Sequence, residues 1–423
     1  MSKPLVLVTA PVKTRSGYGN HSRDICTALI DSDKYDVLIN NCRWGNTPLT
    51  ALEKGNPHHD KIAQKLLTNP QLPKQPDLHI HIVIPNEFQP VGKKNIGITA
   101  GIETTIPVPN WLDGANKMDK VIFTSNFTKE CFTNAEFEDP KTKRVVKFNK
   151  PGEVLFEGFD TDVYKETKQI SKEVEELFNS IDSNWNFLFV GHWLNGRLGE
   201  DRKDTGMMVK VFLETFKNQK NPPGLILKTS GADFSILDRE DILNKISDIK
   251  KSVNGVLPPI YLIHGDFTDS QMNELYNHSK VKAHLTFTHG EGFGRPLLEA
   301  TQSGKPVIAP DWSGQVDFLD KNYAVLLPGG LTQVPKGALA EQVFFDSPEN
   351  KWFTVNYNVA SQVMKDVFKN YTKYVVKGKQ LQVLTSKKFT LKNMQELLIQ
   401  QVDDVLKDVP QEVKLKLPKL KKV

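Results

Sequence analysis

The stretch Thr288-His289-Gly290-Glu291-Gly292-Phe293-Gly294-Arg295-Pro296-Leu297-Leu298-Glu299-Ala300 decides the fold. Glu291 and Glu299 stand with seven residues between them, and a glycine-rich turn follows the first. An apolar run, residues 281–287 (VKAHLTF), precedes the stretch. A helix is expected at 296–303, opened by Pro296, whose missing N–H costs little in a first helical turn. Gly304-Lys305-Pro306 and a second apolar run at 307–309 follow. Strand, glycine turn, helix, strand is the arrangement that places a ligand at the carboxyl edge of a parallel sheet. The glycines let backbone N–H groups come close to a phosphate. Glu291 is expected in the turn, near the polar end of a ligand, and Glu299 about two turns into the helix.

Working outward, short apolar runs recur between helical or turn-rich stretches. In the first half, strands are expected at 5–9, 36–39, 78–84, 95–100, 120–124 and 153–156. In the second half they are expected at 186–190, 225–229, 260–264, 281–287, 307–309 and 323–327. Most runs are continuously apolar, the pattern of strands buried on both faces of a parallel sheet. Helices are expected at 21–29, 207–216, 270–278, 296–303, 358–374 and 391–407. Two βα series in tandem imply two Rossmann-like domains. The boundary falls between Tyr164 and Asn184, where the chain is charged, helix-prone and poor in strand formers.

The chain has 423 residues, enough for two domains, and its 39% hydrophobic and 25% charged content excludes a largely disordered polypeptide. Three cysteines, Cys26, Cys42 and Cys131, argue for a reducing compartment and against a disulfide framework. The apolar run after Met1-Ser2-Lys3-Pro4 is too short for a signal peptide, and no segment approaches a membrane span in length. The formal net charge is +5, with Lys414, Lys416, Lys419, Lys421 and Lys422 facing only Glu412 in the tail. That tail is either a solvated end or a contact for an anionic partner. Asp160-Thr161-Asp162 and His58-His59-Asp60 are not read as metal sites: the first lies in an interdomain pattern, the second in a polar loop.

Residues 288–314 resemble the E-x7-E signature of the large retaining glycosyltransferase family four. The match runs through Gly-Phe-Gly, Pro-Leu-Leu-Glu-Ala, Gly-Lys-Pro-Val-Ile-Ala and Asp311-Trp312-Ser313-Gly314. Residues 156–164 (FEGFDTDVY) resemble the family's interdomain hinge. The resemblance implies an α/β GT-B fold: two Rossmann-like, doubly wound domains facing a cleft, with a C-terminal helix crossing back. The expected divisions are an acceptor domain at 1–165, a nucleotide-sugar domain at 166–390, a crossover helix at 391–409 and a basic tail at 410–423.

The resemblance also implies site roles. Glu299 would bind the nucleotide ribose. Glu291 would contact the donor sugar or support positive charge on its ring. Gly292, Phe293 and Gly294 would offer backbone N–H groups, and His289 would wall the donor pocket. Gly17 and Gly19, in a loop that Ser16 or Asn20 could close as a helix cap, would lie near the donor phosphates. Glu103 would meet the acceptor. The family's usual arginine is replaced by His192, so Arg202 and Lys203 are favoured as partners of the leaving diphosphate, with Arg197 and Lys228 as further candidates. Cations are needed there because charge grows on the leaving group. The catalytic set is Glu291, Glu103, Arg202 and Lys203. No enzymic nucleophile is evident, so a front-face mechanism is expected. No metal or cofactor is expected beyond the nucleotide sugar, a UDP-sugar, as substrate.

The whole-chain pattern resembles glycosyltransferases of tailed phages. This implies transfer of a hexosyl or pentosyl group to a hydroxymethylated pyrimidine in DNA, in the cytoplasm, that of the host if the protein is viral. The alternatives are a cell-surface glycan or lipid-linked sugar as acceptor, or a GT-B nucleotide-sugar epimerase. Arg43-Trp44-Gly45, after the second strand, could line the acceptor side. The oligomeric state stays open.

Overall fold

The computed structural model describes residues 3–409 except 46, 70, 139–140, 142, 195, 232–233 and 339–345. The basic tail at 410–423 lies outside the described residues. The first sheet is built from β1 (Leu5–Ala10), β2 (Asp36–Asn41), β3 (Leu78–Ile82), β4 (Lys94–Thr99) and β5 (Lys120–Phe123). A small hairpin, β6 (Glu136–Glu138) and β7 (Val145–Lys147), precedes its last strand, β8 (Gly152–Val154). The order is β2-β1-β3-β4-β5-β8, all parallel. Its helices are α1 (Gly17–Asp31), α2 (Pro57–Lys65), α3 (Pro109–Ala115) and α4 (Asn126–Asn134).

The second sheet comprises β9 (Asn186–His192), β10 (Gly224–Ser230), β11 (Ile260–Ile263), β12 (Val281–Leu285), β13 (Val307–Pro310) and β14 (Val325–Leu327). Its order, β11-β10-β9-β12-β13-β14, is again parallel throughout. The helices that flank it are α5 (Lys172–Asn179), α6 (Thr205–Phe216), α7 (Ile236–Lys251), α8 (Asp269–Asn277) and α9 (Arg295–Thr301). Phe187, Phe189, Leu225 and Leu227 enter one core while Leu188 and Ile226 enter the other. The two-residue period of a strand thus divides a continuous apolar run between two helix-covered faces.

Each of the twelve expected runs overlaps a strand of one of the two sheets. The β6–β7 hairpin is not among the expected strands, and His58-His59-Asp60, expected in a loop, lie in the first turn of α2; the other differences lie near the C-terminus. A second hairpin, β15 (Gly329–Gln333) and β16 (Lys351–Val355), follows the second sheet. The single helix expected at 358–374 is two, α10 (Tyr357–Lys369) and α11 (Tyr371–Lys388), because the backbone leaves the helical region at Asn370 (φ −112°, ψ 35°). Asn370 also bonds Asp366 Oδ1 at 2.6 Å with its side chain. The last helix, α12 (Leu391–Leu406), inserts Met394, Leu398, Val402 and Val405 into the core of the first sheet. Where the chain crosses back, Phe159 N–H donates to Phe389 O (3.1 Å) and Leu391 N–H to Phe159 O (2.7 Å). The two crossings between sheets therefore run side by side. Gly158 permits it, since a Cβ there would lie 2.6 Å from Leu391 Cα.

Candidate active site

In the second sheet the strand order reverses between β9 and β12, so the loops after these strands diverge around a crevice at their carboxyl ends. The first loop ends at Asp204, left-handed at φ 50°, at the N-terminal boundary of α6. Asp201 accepts from Thr205 N–H at 2.8 Å and Gly206 N–H at 3.3 Å, which turns Arg202 and Lys203 toward the crevice. The second loop is the glycine turn. His289 N–H donates to Arg202 O (3.0 Å), which joins the two loops. His289 also stacks on Trp352 with centroids 3.9 Å apart, and its Nδ1 lies 2.7 Å from Phe353 O. Burial pushes this imidazole down to about 4. It is neutral, and its 3.8 Å separation from Asp204 is not an ion pair. His289 is buried and backs the turn from behind.

Four of the expected residues meet. Lys203 pairs with Glu291 inside the second domain. Arg202 pairs with Glu103, across the cleft, at 2.7 Å. Burial works against ionisation of Glu291, but Lys203 and Arg202 outweigh it and hold the carboxyl below its usual range. Glu299 is buried in α9, and Arg295 Nε bonds it at 2.9 Å, one helical turn away. The same guanidinium reaches across to Asp24 on α1. Burial raises the Glu299 carboxyl to about 7 even with Arg295 beside it, because Asp269 and Asp24 are also near.

Lys228 donates to Gly265 O at 2.6 Å, between the rings of Phe267 and Phe234 at 4.8 and 5.7 Å. Burial lowers it to about 8. Arg197 is exposed and takes no part in these contacts among the described residues. Phe293 is a core residue packed on Phe318, so only its backbone faces the turn.

The N-terminal loop closes as a cap: Ser16 Oγ accepts from Gly19 N–H at 3.0 Å. Gly19 is needed because a Cβ would lie 2.1 Å from Thr14 O, while Gly17 is exposed with open space around it. Arg23 braces the loop through Val12 O and Thr14 O, both 2.9 Å. Arg15 reaches Asp266 of the second domain at 2.7 Å.

The glycines of the turn also serve a purpose that the sequence reading did not assign. A Cβ on Gly290 would sit 2.4 Å from Glu103 O, and one on Gly292 2.2 Å from Ala100 O. Both contacts are with the opposite domain. Sequence reasoning also missed Arg295 and Asp24. The Arg295–Glu299 spacing was readable as a helical i,i+4 pair, but nothing local pointed to Asp24. His21 was missed as well: it is buried on α1, and neither ring nitrogen has a partner among the described residues. Asp160, in the hinge, accepts from Asp162 N–H at 2.8 Å in a local turn.

Residues 261–342, which include the glycine turn and α9, match the family model of glycosyl transferases group 1. No curated protein sequence matches the chain. Among solved structures, HepE of Anabaena in complex with UDP and glucose aligns with a TM-score of 0.61 at 14% identity, covering 95% of this chain and 99% of that one. A glycosyltransferase from Rickettsia africae aligns at 0.61 and 14% identity, over 96% and 100% of the two chains. Sucrose-phosphate synthase from Thermosynechococcus elongatus aligns at 0.61 and 13%, also over 96% and 100%. The fold is that of the GT-B glycosyltransferases. No helix among the described residues is long and apolar enough to cross a membrane.

Proposed function

We propose that the chain is a retaining glycosyltransferase that moves a sugar from a UDP-sugar to an acceptor hydroxyl, the acceptor being a hydroxymethylated pyrimidine in DNA. The observation that carries the transferase reading is the meeting of Arg202, Lys203, Glu291 and Glu103 at the strand-order reversal. The related fold of HepE, solved with UDP and glucose, supports the choice of donor. The DNA acceptor rests on the resemblance to tailed-phage enzymes.

Glu299 takes the ribose, with Arg295 holding its carboxylate in place. The N–H groups of Gly292, Phe293 and Gly294, with Lys228 as a further cation, face the diphosphate. His289 supports that turn. When the donor binds, Arg202 and Lys203 exchange their carboxylate partners for phosphate oxygens. This frees Glu103 for the acceptor and Glu291 for the sugar. The acceptor oxygen then attacks the anomeric carbon from the side on which the diphosphate departs. The bond from that carbon to the phosphate oxygen breaks, and the acceptor proton passes to the leaving phosphate. Charge grows on the diphosphate in the transition state, which is where Arg202 and Lys203 act.

The test is incubation with a panel of nucleotide sugars, with and without hydroxymethylated DNA, followed by NMR of the product anomer. The expected result is UDP release with sugar on DNA and the donor configuration kept. No turnover of any nucleotide sugar would overturn the transferase reading. Transfer to a glycan or lipid-linked sugar, with none to DNA, would overturn the acceptor alone. An inverted anomer would overturn retention.

A further inference from the structure

On the first domain, the segment after β2 does not continue outward. Cys42 N–H donates to Ala10 O at 3.1 Å, which draws residues 42–44 over the carboxyl end of β1. Trp44 then stacks on Tyr18, with centroids 4.0 Å apart and planes inclined by 27°. Tyr18 is clamped in turn: its hydroxyl lies 2.9 Å from Thr99 Oγ1 and accepts from Ala100 N–H at 3.1 Å. Burial pushes the Tyr18 phenol above its usual range, so it stays neutral. The indole also packs against the cluster containing Ile102, Val108 and Trp111. Trp44 is therefore fixed to the loop that carries Glu103, yet it remains partly exposed.

Two cations lie on its own and a neighbouring segment. Arg43 is exposed and adjacent in sequence, and Lys13 N–H donates to Asn41 Oδ1 at 3.0 Å, which sets Lys13 beside the end of β2. Neither has a carboxylate partner among the described residues. Their neighbour Arg15 is paired with Glu53 at 3.1 Å and Asp266 at 2.7 Å. A rigid, partly exposed aromatic side chain, on neighbouring segments with two cations that have no carboxylate partner among the described residues, matches a planar ring carried on an anionic chain.

We propose that Trp44 and Tyr18 form the platform on which a nucleobase of a polynucleotide acceptor stacks, with Lys13 and Arg43 holding its phosphodiester backbone. This rests on the transferase reading above and names the part of the acceptor that the first domain grips. The base must leave any duplex to lie flat on the indole, so single-stranded or flipped substrate is required.

The test uses the full chain with UDP present and a fluorescent single-stranded oligonucleotide carrying 5-hydroxymethylcytosine, read by anisotropy. Trp44→Ala should weaken oligonucleotide binding roughly ten- to a hundredfold, the range of one aromatic stack. Trp44→Phe, which keeps a ring, should retain most of it. Both should bind UDP as the wild type does, which also verifies folding. Lys13→Ala and Arg43→Ala should each lower the log–log salt slope by roughly 0.7, as for one phosphate contact on a single strand. Unchanged oligonucleotide binding in Trp44→Ala overturns the platform. So does Trp44-dependent binding of an oligosaccharide by a protein that ignores the oligonucleotide. A wild type that binds UDP but no oligonucleotide refutes this inference alone, whereas one that turns over no nucleotide sugar refutes the transferase reading.

Discussion

At the scale of single residues, the site is a set of carboxylates already matched to cations. Glu299 is the clearest case, since Arg295 Nε donates to its carboxylate at 2.9 Å. If Glu299 binds ribose, Glu299→Gln should weaken UDP binding roughly tenfold to a hundredfold, the loss of about 1.5–3 kcal/mol expected for a charge-assisted hydrogen bond. Unchanged affinity by calorimetry would remove the assignment. The Glu299 carboxyl is raised to about 7 by burial, so the ionised form gains ground as pH rises through that value. UDP affinity should therefore increase from about pH 6 to about pH 8 by more in the wild type than in Glu299→Gln. Arg202 and Lys203 call for a different readout. Their charges matter most once the diphosphate is leaving, so Arg202→Ala and Lys203→Ala should lower kcat more than donor affinity. Near-normal kcat in both variants would move that role to Lys228 or Arg15.

At the scale of elements, the glycine turn and the hinge carry the consequences. Gly290 and Gly292 have ordinary backbone angles, so alanine suits each backbone conformation; the tightest contact of an added Cβ is with residues 100–103 of the other domain, joined at Gly290 by Trp312 Cζ3 at 3.0 Å. Gly292→Ala should leave the melting temperature nearly unchanged, enlarge the radius of gyration in small-angle scattering, and reduce kcat at least tenfold. A variant with wild-type scattering and turnover would show that the contact is not needed. In the hinge, Glu157 is buried, and burial raises its carboxyl to about 8 although Arg295 is near. A raised carboxyl binds its proton more tightly in the folded state. The protein therefore loses stability as pH climbs from about 4.5, the unfolded value, through about 8. Glu157→Gln should abolish that slope. It should gain roughly 1–4 kcal/mol at pH 8 and little at pH 5 by chemical denaturation. An equal gain at both pH values would point to a packing effect instead.

At the scale of the whole molecule, the two sheets are held together by polar contacts across the cleft, by the edge-on rings of Phe127 and Trp312 (centroids 4.7 Å apart) and by one helix. Arg15–Asp266, Asp24–Arg295 and Glu103–Arg202 all bridge the domains, and Thr105 N–H bonds Lys351 O at 2.8 Å beside them. All involve charged or polar groups at the cleft, so closure and ligand binding draw on the same residues. The helix α12 contributes differently. Its buried apolar side chains, Met394, Leu398, Val402 and Val405, complete the core of the first sheet, each worth about 1.5–3 kcal/mol when fully buried. Truncation after residue 390 should therefore abolish the soluble folded protein or markedly lower the melting temperature of the first domain. A truncated chain with an unchanged first transition would contradict this.

Both parallel sheets, the glycine turn and the last helix were legible in the sequence, because each depends on short-range patterns: apolar runs of strand length, glycines next to a carboxylate, a helical periodicity at the C-terminus; that this helix crosses back was implied only by the family resemblance. The break at Asn370 and the hairpin around β16 were less legible, since side-chain bonding and pairing with a distant strand decided them. The candidate residues were recognisable one by one, but their partners were not. Lys203 and Glu291 lie 88 positions apart, Arg202 and Glu103 lie 99 apart, and Arg295 and Asp24 lie 271 apart. What the sequence by itself determined was which loops would gather at the carboxyl ends of two sheets. Only the tertiary structure decided which charge met which, and that the glycines would bring the two domains into contact. Those contacts form between separately folded sheets, and their geometry is set by how the domains close on each other, not by any local preference of the chain.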